Sequence, residues 1–253
     1  MVAPVRFFCY FCNNNDHYMS AGKLYLFPSF LAPVKPEEVF PAANIALLSQ
    51  VRYFVVEELR TARRFLKACD RSIDIDSLHF DVLNEHTDPA TVPAMLEPAL
   101  EGQDMGLISE AGCPAVADPG SDLVAAAARK GIEVVPLVGP SSILLSLMAS
   151  GFNGQSFAFL GYLPFDGAKR ATAFKEMERA IRRGQTQIFI ETPYRNRRLI
   201  EELSAAFPPD MLLCVACDLT GPAQSIRTMP LSQWRKDTAD YAKRPAIFLL
   251  YHS

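Results

Sequence analysis

Short apolar runs alternate with longer amphipathic stretches from residue 22 onward. In the first half, apolar runs predict strands over residues 23–27, 53–56, 79–83, 105–108 and 133–138. The segments between them predict helices over residues 39–48, 61–69, 91–100 and 122–130, the last of which ends at Gly131. Strands that alternate with helices at this spacing are typical of a mostly parallel sheet covered on both faces.

The second half shows a different order of elements. Helices are predicted over residues 142–150, 169–183 and 196–207, and strands over residues 156–160, 187–190, 211–219, 225–229 and 246–251. Several of these strands are joined by short links, which favours a mixed sheet. We therefore predict two α/β domains, over residues 22–139 and 140–253, with a boundary near Gly139 and Pro140.

The first residues fit neither domain. Residues 7–12 form a short aromatic run, followed by three asparagines. This segment lacks the longer aliphatic core and the small-residue cleavage site of a signal peptide. Residues 1–21 are predicted to be a flexible leader, and Met19 could itself begin the protein.

Composition excludes several classes of protein. About half of the 253 residues are apolar (49%) and 21% are charged, as in soluble globular proteins. No apolar run reaches the roughly 20 residues that cross a bilayer, so we expect a cytoplasmic protein with no membrane span. Two cysteine pairs have C-x-x-C spacing, Cys9 with Cys12 and Cys214 with Cys217. The second pair lies on a predicted strand, where residues three apart point to opposite faces, so no metal site is expected.

Two loops at strand ends are candidates for ligand binding. In open parallel sheets, ligands bind beyond the carboxyl ends of the strands. The first loop, residues 109–120, has the sequence SEAGCPAVADPG, and its small residues would let a ligand approach the main chain. It could instead be a turn that only links a strand to its helix, although twelve residues are long for that purpose. The second loop, residues 139–142, enters a helix, and helix capping alone would explain its serines.

The motifs GLISEAGCPAVADPGSDLV, GIEVVPLVGPSS and FLGYLP resemble those of the tetrapyrrole methylase superfamily. The chain is most similar to the branch of (cytidine-2′-O)-methyltransferases that act on small-subunit ribosomal RNA. The resemblance extends loosely from about residue 22 to the C-terminus. It implies a homodimer in which S-adenosylmethionine lies in the cleft between two α/β domains.

The resemblance also assigns residues to the cofactor site. One wall would come from the loop after the fourth strand, with two serines beside it and the strand ends of the second domain opposite. The residues so assigned are Ser109, Glu110, Ala111, Gly112, Pro114, Ser141, Ser142, Phe189, Glu191, Thr192, Cys217, Leu219, Pro245 and Ala246.

The chain departs from the family pattern mainly where substrate would bind. Residues 28–33 have the sequence PSFLAP, whereas the family carries a glycine in this loop. At residues 57–60 the chain matches the family's Glu-Asp-Thr-Arg sequence only in part. At residues 83–87 its sequence differs from the family's His-Glu-His-Asn motif. Gly221 and Pro222 follow a Leu-Thr pair after which the family tends to place a lysine. These changes leave the methyl acceptor open.

A ribose hydroxyl acceptor would need a base or a polarising cation. The candidates expected to face the cleft are Glu58, Arg60, Glu85 and His86. Of these, Glu58, Arg60 and His86 are our predicted catalytic residues. His86 could instead be a surface histidine that caps a turn. Glu58 and Arg60 could instead belong, with Glu57, to a solvated cluster of ion pairs.

Charge is distributed unevenly, with a net −7 in residues 1–140 and +4 in residues 141–253. The basic residues concentrate on two predicted helices of the second domain. They are Lys169, Arg170, Lys175, Arg179, Arg182, Arg183, Arg195, Arg197 and Arg198. With few aromatics expected among them, they suit contact with RNA phosphates more than base recognition, or they are simply the polar faces of amphipathic helices.

Three functions are therefore open. The first is an RNA methyltransferase, such as one that acts on assembled ribosomal subunits. The second is a methyltransferase for a small molecule such as a tetrapyrrole precursor. The third is a cofactor-binding protein without catalytic activity.

Overall fold

A computed structural model describes residues 21–252 of the chain. Residues 1–20, which include the Cys9 and Cys12 pair and most of the predicted leader, lie outside the described residues. Within the described part, ten strands form two five-stranded sheets. The first half contains β1 Leu24–Phe27, α1 Pro36–Val39, α2 Ala42–Leu48, β2 Tyr53–Val56, α3 Leu59–Cys69, β3 His79–Val82, α4 Glu97–Leu100, β4 Met105–Ile108, α5 Gly120–Arg129 and β5 Val134–Pro136.

The second half begins with a helix and contains the other five strands. Its elements are α6 Ser142–Ser150, β6 Phe157–Tyr162, α7 Gly167–Ile181, β7 Thr186–Ile190, α8 Asn196–Ala206, β8 Leu212–Cys217, β9 Ser225–Pro230, α9 Leu231–Trp234 and β10 Ala246–Tyr251. The helix α9 is absent from the sequence prediction.

The two sheets differ in strand direction, as predicted. In the first sheet the order is β3-β2-β4-β1-β5, and every pairing is parallel. In the second the order is β6-β7-β10-β8-β9, where only β6 and β7 pair in parallel. The predicted fold class, a parallel first sheet and a mixed second one, is confirmed.

Each sheet is covered on both faces by its own apolar clusters. In the first sheet, Leu24 and Leu107 pack on one face, whereas Phe27 and Phe54 pack on the other. In the second sheet, one cluster lies under α7 and α8 and the other under α6. Leu31, from the loop after β1, packs against the α6 cluster and so connects the two halves.

Proline alters two of the predicted helices. The helix predicted over residues 39–48 begins only at Ala42, because Pro41 pushes Phe40 into an extended conformation with φ −118° and ψ 140° that separates α2 from α1. The helix predicted over residues 91–100 is mostly a 3₁₀ helix, Val92–Leu96, followed by the single turn of α4. Both pieces carry a proline in their first turn, where the missing N–H costs least.

The strand β8 confirms the prediction for its two cysteines. Cys214 packs in the cluster under α6, whereas Cys217 packs in the cluster on the opposite face. The alternation of side chains along the strand thus separates the two thiols. Among residues 21–252, no helix is both long enough and apolar enough to cross a membrane.

Candidate functional site

Three loops meet at the carboxyl edge of the first sheet. Because β4, β1 and β5 are neighbours and run in the same direction, the loops that follow them leave the sheet side by side. The loops after β1 and β4 pair directly, since the Ser29 amide donates to the Gly112 carbonyl at 2.8 Å. The loop after β5 reaches the same place, where Cys113 Sγ lies 3.6 Å from the Pro140 carbonyl oxygen.

Two glycines permit this close packing. Gly112 has φ +75°, and a Cβ atom there would lie 3.3 Å from Leu31 Cδ2. Gly139 lies against Pro28, whose ring carbons would be only 2.4 and 2.6 Å from an added Cβ. A side chain at residue 139 would therefore force apart the loops that follow β1 and β5.

The loop after β4 is strained and is held by a carboxylate. Ala115 and Ala117 have φ of 64° and 60°, a left-handed conformation that residues other than glycine rarely adopt. Asp118 stabilises this path by accepting hydrogen bonds from the amides of Ala115 (2.9 Å) and Gly120 (2.8 Å). Burial raises the pKa of the Asp118 carboxyl group, although these amides act in the opposite direction. Backbone strain of this kind concentrates at functional sites.

The second sheet supplies the opposite wall of a cavity of about 320 Å³. This volume lies at the small end of the range for ligand pockets. From the first half, the cavity is lined by residues 109–113, residues 116–118, Glu57 and Leu31. The loop before α6 and the strand ends of the second sheet complete it with Ser141, Ser142, Ile143, Phe159, Tyr162, Ile190, Glu191, Pro193, Ala216, Leu219, Pro245, Ala246 and Ile247.

Most residues assigned to the cofactor from the sequence line this cavity. They are Ser109, Glu110, Ala111, Gly112, Ser141, Ser142, Glu191, Leu219, Pro245 and Ala246. Four others do not line it, namely Pro114, Phe189, Thr192 and Cys217. Phe189 and Cys217 are fully buried in the core of the second sheet, because they point to the side away from α6.

The hydroxyl groups of Ser109 and Ser141 differ in their hydrogen bonding. The Ser109 side chain is buried, and its hydroxyl has no hydrogen-bond partner among the described residues. A buried hydroxyl without a partner is costly, so a ligand that bonds to it would gain affinity. Ser141 caps α6, with its hydroxyl oxygen 3.5 Å from the Leu144 amide. Both the capping and the pocket interpretations of this serine therefore fit its position.

Acidic side chains dominate the charge of the cavity. Glu57, Glu110 and Asp118 line its first-domain wall. Burial raises the pKa of Glu110, and the nearby carboxylates of Glu57 and Glu58 raise it further. Burial also raises the pKa of Glu57, whose carboxylate accepts a hydrogen bond from the Glu110 amide at 3.2 Å. A cationic ligand would relieve this clustering of negative charge.

The predicted catalytic residues lie outside the cavity. Glu58 caps α3, where it accepts hydrogen bonds from the amides of Arg60 and Thr61, and these bonds lower its pKa. Arg60 lines a separate surface depression with Glu58. His86 is exposed on a turn, with Nε2 3.6 Å from the Glu85 carboxylate. The geometry does not bring these residues to the site, and their catalytic role stays a prediction.

Glu57 and Asp118 line the site although the sequence motifs did not predict them there. Glu57 follows β2 directly at the carboxyl edge of the sheet, so strand position could have favoured it over Glu58. Asp118 lies within the recognised loop motif, but its carboxylate bonds to loop amides that only the folded backbone brings together.

A larger groove of about 1010 Å³ adjoins the cavity, and the two share Leu31, Glu110 and Ala111. Two of the segments that depart from the family pattern form much of this groove, which residues 29–35 and 220–222 line. These segments touch, because a Cβ atom on Gly221 would lie 2.7 Å from Ala32 Cβ. A glycine in the second segment thus accommodates the alanine in the first.

Many of the basic residues of the second half are held in ion pairs. Arg170 is mostly buried and contacts Glu191 at 3.4 Å and Glu202 at 2.8 Å. Arg195 also pairs with Glu191 at 2.7 Å, and Arg198 pairs with Glu202 at 2.8 Å. Less positive charge is therefore free than the sequence suggests.

Curated relatives carry a consistent name. The chain is 29% identical to the ribosomal RNA small subunit methyltransferase I of Vibrio cholerae over 81% of its own length and 69% of the relative's. It is 30% identical to the protein of the same name from Halalkalibacterium halodurans, over 72% of the chain but only 59% of that protein. The protein of that name from Escherichia coli O157:H7 is 27% identical over 91% of this chain and 78% of the relative.

Solved structures share the fold. The methyltransferase CobJ matches with a TM-score of 0.62 at 22% identity, over 92% of this chain and 95% of that one. The uroporphyrin-III C-methyl transferase of Thermus thermophilus, complexed with S-adenyl homocysteine, matches with a TM-score of 0.58 at 17% identity, over 91% and 98% of the two chains. The family described as Tetrapyrrole (Corrin/Porphyrin) Methylases matches residues 42–234. The chain therefore belongs to this family of methyltransferases, as its motifs predicted.

Proposed function

We propose that this protein uses S-adenosylmethionine to methylate small-subunit ribosomal RNA, at a ribose 2′-oxygen. The name shared by its curated relatives supports the RNA substrate. The observation that carries the proposal is the cavity between the two sheets, which the loop of residues 109–113 lines and which opens at Glu110 into a larger groove. A donor in the cavity and an acceptor in the groove would meet at Glu110.

The cavity has features that fit this cofactor. S-adenosylmethionine is a cation at its sulfonium and amino groups, and the carboxylates of Glu57, Glu110 and Asp118 complement that charge. The unpartnered hydroxyl of Ser109 offers a buried hydrogen bond. The absence of a side chain at Gly112 leaves the main chain of the turn accessible.

The bound cofactor would supply an electrophilic methyl group on a sulfonium. The protein's main contribution is to hold donor and acceptor in line, an effect that can supply several kcal/mol. Glu110 would accept the proton that the acceptor hydroxyl loses when the hydroxyl oxygen receives the methyl group. The raised pKa of Glu110 makes it a stronger base than a solvated glutamate.

The proposal includes a cytoplasmic homodimer that contacts RNA through the basic second domain. The family resemblance supports the dimer. The positive charge of residues 141–253 supports contact with phosphates.

A tritiated-methyl transfer assay tests the function. RNA and intact small ribosomal subunits from cells that lack this protein are incubated with labelled S-adenosylmethionine, with Gly112→Trp as the inactive control. We expect label in small-subunit RNA, recovered as a 2′-O-methylated nucleoside. Cofactor binding without label in RNA would overturn the proposal.

The groove favours a second candidate function, methylation of a tetrapyrrole precursor. It is wide and mostly apolar, with Phe30, Val34 and Phe65 among its lining residues, and such a surface suits a large planar ligand. Label in a porphyrinoid instead of RNA, with binding insensitive to salt, would select this function. Cofactor binding without label in either substrate would indicate a protein that has lost catalysis.

A further inference from the structure

Three aromatic side chains of the second domain are unusually exposed. Tyr162 is 60% exposed, Phe165 81% and Tyr194 78%, the highest values for aromatic residues in the described part of the chain. Tyr162 ends β6, Phe165 lies in the loop that follows, and Tyr194 lies in the turn after β7. We call these three residues the aromatic surface. Aromatic rings usually bury most of their area, so three exposed rings close together indicate a binding surface.

The aromatic surface lies at the mouth of the cavity. Tyr162 lines the cavity together with Pro193, the residue before Tyr194. Phe165 lines the neighbouring depression, which shares Glu191 with the cavity. Arg195 connects the two loops, because its guanidinium carbon lies 5.2 Å from the centre of the Phe165 ring. The three residues are therefore connected through one short segment, residues 191–195, which contains Tyr194.

Positive charge lies between and beside these rings. Arg195 is held over Phe165 by its ion pair with Glu191. Lys243 lies beside Tyr194, because its amide donates to the Pro193 carbonyl at 3.1 Å. Lys169, in the first turn of α7, lies four residues after Phe165. Both lysines are exposed and make no ion pair with any residue in 21–252. The sequence predicted few exposed aromatic residues among the basic ones, whereas the structure shows both together.

We propose that the aromatic surface binds unpaired RNA nucleotides by stacking, while Lys169 and Lys243 contact the flanking phosphates. This inference rests on the proposed RNA substrate and specifies its form. Proteins recognise single-stranded RNA by stacking its bases on aromatic rings and arginine planes, with cationic groups beside them. In duplex RNA the faces of the bases are hidden. The exposed lysines beside the rings favour RNA over a protein partner, because lysine is depleted in protein–protein interfaces. The position beside the cavity would hold unstacked bases next to the methyl donor.

Binding of short RNAs to the full-length protein tests the proposal. Affinities for a single-stranded oligonucleotide of the methylated region and for its duplex are measured with wild type, Phe165→Leu and Tyr194→Leu. Phe157→Leu is the matched control, because Phe157 is partly exposed at the opposite end of β6. Melting temperature and S-adenosylmethionine affinity are measured for each variant, and both should match those of wild type.

We expect each stacking variant to weaken single-stranded binding on the order of ten-fold, with little effect on the duplex and none from Phe157→Leu. KM for RNA should rise while kcat changes little. The salt dependence separates the two kinds of contact. The leucine variants should keep the wild-type slope, whereas Lys169→Gln and Lys243→Gln should each reduce it by about 0.7.

Several outcomes overturn the proposal. If wild type methylates RNA but both leucine variants bind single strands as tightly as it does, the aromatic surface does not stack bases. If the variants impair only the reaction on assembled subunits, its partner is a protein. If they change the oligomeric state, it is a contact between subunits. If wild type neither binds nor methylates RNA, the proposed function fails and this inference fails with it.

Discussion

The cavity and the adjoining groove share three lining residues yet are built differently. Small residues and backbone line the first-domain wall of the cavity, in a loop whose left-handed turns are held by Asp118. The groove is formed by larger side chains such as Phe30, from the loop after β1, and Phe65, from α3, and its two loops pack through Ala32 and Gly221. The cavity retains the main family motif, and the groove contains two of the segments that depart from the family pattern, residues 28–33 and residues 221 and 222.

This difference indicates which parts of such a site tolerate amino-acid substitution. A ligand that approaches the main chain requires glycine and fixed dihedral angles, so a substitution in the turn disturbs binding directly. A groove lined by side chains can change its shape by exchanging them, provided that neighbouring loops still fit. A common donor and a variable acceptor would produce this pattern.

Filling the turn of the cavity should have the largest effect. Gly112→Trp places an indole where the loops after β1 and β4 meet, and the left-handed φ adds strain. We expect cofactor affinity to fall at least about 1,000-fold, or about 4 kcal/mol, by isothermal titration. Gly131→Ala is the control, because Gly131 has a similar φ of +71° but no atom within 4 Å of an added Cβ. Undiminished cofactor binding by Gly112→Trp would show that the cavity is not the cofactor site.

Removing the charge of Glu110 should affect catalysis more than binding. Because Glu110 lines both spaces, Glu110→Gln should lower kcat on the order of 100-fold with a smaller change in cofactor affinity. The wild-type rate should fall as the pH drops through the raised pKa of Glu110, where the base becomes protonated. The variant should lose this acidic limb, as a pH profile of kcat would reveal. Glu85→Gln, an exposed control, should keep it, and an unchanged limb in Glu110→Gln would exclude Glu110 as the base.

The contact between the two loops of the groove predicts a compensating pair of substitutions. Gly221→Ala forces a Cβ against Ala32 and should destabilise the protein by about 1 kcal/mol while changing KM for the acceptor. Ala32→Gly removes the clash, so the double variant should recover most of both losses. Thermal unfolding and acceptor kinetics give the coupling energy of the cycle. Additive effects of the two substitutions would mean that the loops do not constrain each other.

Substitution of Glu58, which follows the cavity residue Glu57 but does not line the cavity, should affect stability only. Its folded-state pKa is lowered by the Arg60 and Thr61 amides, so its contribution is present above the ordinary glutamate pKa and lost as the pH falls through the folded value. Glu58→Gln should therefore lower the melting temperature slightly at neutral pH, and the difference from wild type should vanish in acid. Cofactor affinity should stay unchanged. Glu176→Gln, on the exposed side of α7, is the control. A loss of methyl transfer in Glu58→Gln would restore this residue as a catalytic candidate.

Much of the fold could be predicted because its signals are local. Apolar runs located all ten strands, and strand alternation correctly separated Cys214 from Cys217. Helix ends were less predictable near proline, since Pro41 divides a segment whose apolar spacing is continuous. The short helix α9 was missed because four residues carry almost no periodicity.

The candidate site was predictable where a motif carries it and not where geometry does. The loop at residues 109–120 was identified from its small residues, its length and its place after a strand. Phe189 and Cys217, assigned by resemblance, lie in the core instead, because neighbours on a strand face opposite sides. Glu57 and Glu58 are adjacent acids, and only the end of β2 decides which one lines the cavity.

By itself, the sequence determined the family, the two kinds of sheet and the loop that holds the strongest ligand-binding motif. Each of these depends on residues close together in the chain, where periodicity and glycine act locally. The tertiary structure decided what faces what, including the shared position of Glu110, the contact of Ala32 with Gly221 and the exposure of the aromatic surface. These relations join residues far apart in sequence, and they exist only once the parallel order of β4, β1 and β5 and the packing of α6 bring the loops together.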